Sequence, residues 1–68
     1  MRESMKSNRR LLRSVEAAQY LSLSVWSLRR LIQRGELPVV QHREMGKFLL
    51  DIRDLDGFIE RHKRTTPL

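Results

Sequence analysis

The side chains with the most to offer chemically lie in one short stretch, SVWSLRRLIQR, residues 24 to 34. It contains the only tryptophan, Trp26, together with Arg29, Arg30, Gln33 and Arg34. An indole among guanidinium groups supplies stacking, hydrogen-bond donation and positive charge, which are the means of binding rather than of turnover. Elsewhere the pattern argues against catalysis and metal chemistry. His42 and His62 have no Cys/His partner at ligand spacing, and the chain has no cysteine, so neither a metal site nor a disulfide framework is expected. No nucleophile–base pair and no Gly-rich phosphate loop is evident, and no cofactor or enzymatic activity is expected.

Helical geometry decides which way this stretch faces. Ser24 is a natural N-cap, Gly35 supplies a left-handed C-cap and Pro38 a stop, so the spacing predicts a helix from Val25 to about Arg34. With successive residues turning by roughly 100° and Leu28 set at zero, Val25, Leu31 and Ile32 fall within roughly 60° of it. Trp26, Arg30 and Gln33 fall at roughly 140–200°, on the opposite side. Ser27, Arg29 and Arg34 occupy the flanks. The aliphatic stripe faces the core and Trp26 faces away.

The rest of the chain must position that face. With 68 residues it makes one domain at most, burying only about 60% of its unfolded surface. No apolar run approaches the length of a membrane span and no signal-peptide core follows Met1, so a cytoplasmic, nucleoid-associated protein is expected. The net charge of +6 implies a polyanionic partner, most simply nucleic acid. The charge is also segregated. Arg2, Lys6, Arg9, Arg10 and Arg13 oppose only Glu3 near the start, residues 25–34 carry no acid, and Asp51, Asp54, Asp56 and Glu60 face Arg53 alone near the end.

Residues 1–10, polar, basic and aperiodic, read as a flexible arm. A first helix is expected from about Val15 to Leu21, capped by Ser14, with Val15, Ala18 and Leu21 on one face, Ala17 and Ala18 small enough to let another helix approach closely, and Leu11 and Leu12 covering the base of the core. Ser22-Leu23-Ser24 makes a tight turn. Residues 38–51 read as a hairpin with strands Val39–His42 and Phe48–Leu50, a tip from Arg43 to Lys47, and Gly46 in the turn. Phe48 and Leu50 share one face and Leu49 points to the other. Asp51 caps a last helix with Ile52, Leu55, Phe58 and Ile59 on its apolar side, and a tail follows over residues 63–68. The fold class is α+β: a small winged helix-turn-helix over residues 11–62, comprising helix-turn-helix, two-stranded wing and C-terminal helix.

At this point the residues resemble a known family. Glu16-Ala17-Ala18 with Tyr20-Leu21, then Arg34-Gly35-Glu36-Leu37-Pro38, then Phe48-Leu49-Leu50-Asp51 and Asp54-Leu55-Asp56 are similar to the excisionase-like proteins with a MerR-type winged helix-turn-helix. The likeness covers about residues 11–60, and the ordered set is more specific than any one piece. It implies a helix in the major groove of double-stranded DNA and a wing along an adjacent groove or backbone. Members act as recombination directionality factors or as small transcriptional regulators. Carried over, the groove-facing positions fall on Trp26, Ser27 and Arg30 with Arg29 beside them, and the wing's basic tip on Lys47. The sequence departs from the pattern in having tryptophan at position 26, Arg13 where Thr or Ser commonly caps, and a longer wing tip carrying Glu44.

Roles follow from chemistry. Arg30 can donate two bonds to guanine O6 and N7, worth about 1–3 kcal/mol against the wrong base. Ser27 either bonds a base edge or phosphate or serves as a second cap. Arg29, Arg34 and Lys47 suit phosphates, and Gln33 and Arg43 complete the expected DNA-binding set. Trp26 has three options: thymine methyls, a cation–π stack on Arg30, or a protein contact. Further partners expected are a site-specific integrase and neighbouring copies of the chain on DNA, through Leu49, the wing edge or the arm. A protein-interaction adaptor with an acidic partner is the competing class.

Overall fold

The computed structural model describes residues 9–44 and 46–65. Its elements, in chain order, are β1 (Leu11–Leu12), α1 (Ser14–Tyr20), α2 (Val25–Gln33), β2 (Val40–Gln41), β3 (Phe48–Asp51) and α3 (Ile52–His62). Most of the arm expected over residues 1–10 lies outside the described residues, as do Met45 in the wing tip and the last three residues of the tail.

The two-stranded wing is part of a larger sheet. Leu11–Leu12 forms a strand that pairs antiparallel with β3, Leu11 opposite Asp51 and Leu12 opposite Leu50. β2 pairs with the other edge of β3, Val40 opposite Leu49 and Gln41 opposite Phe48, so the order is β1-β3-β2. The leucine pair is thus divided by the pleat: Leu12 is buried and Leu11 exposed. β2 is shorter than expected, and β3 runs on through Asp51 straight into α3.

Helix α1 begins one residue earlier than predicted, and Ser14 is not its cap. Arg13 takes the N-cap position in an extended conformation. Its backbone N–H donates to Glu16 Oε1 at 2.9 Å, so the return half of a capping box stands without a hydroxyl cap. Of the inward face expected, Ala18 is buried and Leu21 packs against the core, but Val15 does not join them. Ala17 and Ala18 are buried, whereas Val15 is 57% exposed. The alanines are what a close crossing of α1 and α2 requires; Val15, roughly 110° round the helix from that face, misses the core.

Both helix junctions of the helix-turn-helix end in the same hydrogen-bonded motif. After α1, Ser22 N–H donates to Gln19 O and Leu23 N–H to Ala18 O, with Ser22 left-handed at φ 60°. After α2, Gly35 N–H donates to Ile32 O and Glu36 N–H to Leu31 O, with Gly35 at φ 81°. These are Schellman closures; glycine suits the second, and a serine tolerates the strain of the first. Ser24 caps α2 as expected, accepting from Ser27 N–H at 3.1 Å, and Asp51 caps α3, accepting from Arg53 N–H at 2.9 Å.

The core is Leu12, Ala17, Ala18, Leu28, Leu37, Leu50 and Leu55, supplied by β1, all three helices, β3 and the segment after α2. Of the apolar face expected on α3 only Leu55 is fully buried; Ile52, Phe58 and Ile59 are half-buried. α3 also extends through His62, which packs on Phe58 with ring centroids 4.2 Å apart. Two polar ties hold the ends: Arg10 O accepts from Ile52 N–H at 2.8 Å, and Tyr20 Oη donates to Asp56 Oδ1 at 2.5 Å.

Candidate nucleic-acid interface

The orientation of α2 is set by its stripe. Leu28 is fully buried, and Val25, Leu31 and Ile32 pack partly buried around the core. On the opposite side Trp26 is 66% exposed. The Arg30 guanidinium lies over its ring, 4.9 Å from the centroid. A cation–π contact does not use up the guanidinium's N–H donors, and Arg30 joins no ion pair among the described residues.

The remaining residues of the expected set divide between two flanks of the helix. On the α3 side, Trp26, Ser27, Arg30 and Arg34 border a groove floored by Leu31 and Phe58. Ser27 is half-buried; its hydroxyl sits 3.0 Å from Ser24 Oγ, so it reinforces the cap. Arg34 Nη1 approaches Glu36 Oε2 at 3.8 Å, a loose pair that leaves most of its donors free. On the wing side, Arg29 and Gln33 border a shallow cleft with Ile32 and Phe48. Lys47, at the end of the wing's turn just before β3, shares a larger groove with Arg29 and with Arg13. Arg43 is exposed in the turn after β2 and lines none of these grooves.

Electrostatics sharpen the contrast between this face and the rest. The Asp51 carboxyl is held below its ordinary range by a hydrogen bond from the Arg10 guanidinium and then by Arg53 N–H. Glu16 is lowered by Arg13 N–H and then by the Arg9 side chain, with which it forms an ion pair. The Tyr20 phenol is raised because it donates to Asp56. Among the described residues, Arg29, Arg30 and Lys47 join no ion pair. No group of three or more potential metal ligands occurs among the described residues, and no helix among them is long and apolar enough to cross a membrane.

Sequence reasoning missed Arg13 as a contributor to this surface. The only signal was its place in the basic stretch before α1, and nothing in the sequence tied it to Arg29 or Lys47.

Two helices joined by a tight turn, the second turned outward with an aromatic–cation pair and flanked by a β-wing, define a winged helix-turn-helix, a DNA-binding class. Comparison with family models agrees: the model of the helix-turn-helix domain family matches residues 11–63, and the chain belongs to that family. No curated protein matches it significantly, and neither does any solved structure.

Proposed function

We propose that this chain is a sequence-specific DNA-binding protein of the excisionase type, an architectural factor that sets the direction of a site-specific recombinase. The observation that carries the DNA-reading part is the exposed Trp26–Arg30 stack on the side of α2 opposite the buried Leu28. In this reading α2 enters the major groove, Arg30 reads guanine with its N–H donors, and Trp26 covers thymine methyls beside it. Arg29, Arg34 and Lys47 neutralise phosphates, Ser27 and Gln33 border the read bases, and Arg43 follows the backbone with the wing. The resemblance of residues 11–60 to excisionase-like proteins supports the recombination role, with an integrase and further copies of the chain as partners.

The test begins with selection of bound duplexes from a random library, followed by footprinting on the DNA flanking the gene. The selected site, placed in an excision substrate with the neighbouring recombinase, should make excision depend on the protein. A selected site that lies over a promoter, with transcription changed and excision indifferent, makes the protein a MerR-like regulator instead. Binding to an acidic protein with no preference among duplexes removes the DNA reading altogether.

A further inference from the structure

Arg13, to which the reading above gives no role, converges on one place with two cations of the DNA-facing set. Arg13 at the start of α1, Arg29 on the wing flank of α2 and Lys47 at the end of the wing's turn line a single open groove of about 820 Å³. None of the three joins an ion pair among the described residues. Val15, the valine that misses the core at 57% exposure, and Leu49, the outward residue of β3, line the same groove. Its wall includes one carboxylate, Glu16, whose charge is engaged by the Arg9 side chain and the Arg13 N–H.

A nucleic-acid strand presents the matching sequence of surfaces: anionic phosphates alternating with the apolar C–H faces of deoxyribose. Cations from α1, α2 and the wing, with apolar side chains lining the same groove, suit that alternation. Arg29 also makes the groove continuous with the outward face of α2, since it belongs to both. We propose that this groove seats one sugar–phosphate strand of the duplex, with Arg13 from α1 and Lys47 from the wing reaching phosphates, Arg29 closing the α2 side, and Val15 and Leu49 packed against deoxyribose. The proposal rests on the DNA-binding reading above and adds a strand contact outside the base-reading helix.

The experiment measures the full chain binding a short random-sequence duplex by fluorescence anisotropy across a KCl series. The proteins compared are wild type, Arg13→Ala, Lys47→Ala, the double variant and Arg13→Lys. Each lost phosphate contact should flatten the log–log salt slope by about 0.9, which corresponds to about an eightfold weakening at ~0.1 M salt for each alanine variant. Arg13→Lys should restore most of the slope, and melting temperatures should stay near wild type because Arg13 caps α1 through its backbone N–H, which alanine keeps. Val15→Ser should weaken binding while leaving the slope alone. A double variant with the wild-type slope overturns the proposal. So does a Val15→Ser or Leu49→Ser effect confined to cooperative loading of a second copy, which would make the groove a contact between copies. Trp26→Ala and Arg30→Ala, measured on the selected site, separate the two readings. If they weaken binding while the double variant does not, the groove alone is wrong; if no variant matters, the DNA reading falls as well.

Discussion

Replacing Trp26 by alanine separates a residue that contacts a partner from one that holds the fold. An enclosed aromatic side chain buries about 150–250 Å². With the residue 66% exposed, about a third of that area is covered, and at about 25 cal/mol/Å² this is worth ~1–2 kcal/mol at most. Part of the cover is the Arg30 guanidinium itself, so the cation–π stack is largely included in that figure. Alanine also favours the helix more than tryptophan does, returning ~0.5 kcal/mol. A net loss of about 1 kcal/mol lowers the melting temperature by roughly 4–8 °C in a domain of this size. Leu28, two residues along and fully buried, sets the contrast: Leu28→Ala opens a core cavity and should cost about 2–5 kcal/mol.

Binding should reverse the ranking. About two thirds of the indole remains to be covered by DNA, and even after ordering costs the loss should reach at least tenfold in affinity, about 1.4 kcal/mol. Trp26→Phe, which keeps a ring under Arg30, should fall between. The assays are urea unfolding for stability and anisotropy on the selected duplex for affinity. If Trp26→Ala unfolds the protein as severely as Leu28→Ala while the folded fraction binds with wild-type affinity, the orientation of α2 is wrong.

Other perturbations test the joints of the fold. Ser22→Gly relieves a left-handed serine at φ 60° and should stabilise by about 0.5–1 kcal/mol, seen as a higher urea midpoint at unchanged m-value; a lower midpoint would refute the strain. Gly57→Ala adds helix propensity inside α3, and the new methyl would meet only the mobile end of Arg61, at 3.3 Å, so melting should rise by roughly 3–6 °C. The lowered carboxyls of Asp51 and Glu16 contribute stability that is present above their ordinary values near pH 4 and lost as pH falls through the depressed ones. Asp51→Asn should therefore lower stability at neutral pH and flatten the acid limb of the melting profile. The raised Tyr20 phenol acts at the other end: its contribution holds below about pH 10 and disappears as pH rises through the higher value. Tyr20→Phe should remove that alkaline limb without touching the acid one.

What was legible in the sequence was whatever local chemistry announces. α2 had a cap in Ser24, a stop in Gly35 and an apolar stripe long enough to show its period, and its orientation followed. The strand β1 was not legible, because two adjacent leucines show no period and their pairing partner lies some forty residues away by the register of Leu11 with Asp51. The small Ala17 and Ala18 announced a close helix approach and are buried, but Val15 misled, because a periodic apolar face was drawn through it when the crossing at the alanines turns it outward. Ser14 misled for a related reason: the capping position is defined by backbone conformation, and Glu16 reaching back makes Arg13 sufficient. The surface split in the same way. Trp26 and Arg30 were visible from one helix, while Arg13 joins Arg29 and Lys47 only once β1, α2 and the wing are assembled.

That assembly also explains how a small chain keeps a usable positive face while carrying so many acids. Asp51 is engaged by Arg10, Glu16 by Arg9, Glu60 by Lys63, Asp56 by the Tyr20 hydroxyl, and Glu36 lies near Arg34 and His62. Most of these contacts lie along α3 and the N-terminal approach to α1, away from the outer side of α2. These five carboxylates are thereby engaged, several of them where they secure the helix ends and the chain's entry into the sheet. Arg29, Arg30 and Lys47 remain unpaired among the described residues: α2 carries no acid, and Glu16, which shares the groove of Arg29 and Lys47, is engaged by Arg9 and the Arg13 N–H. Exposed ion pairs of this kind add little to stability individually. Their larger effect is to keep the domain's own negative charge from competing with a polyanion for the recognition helix.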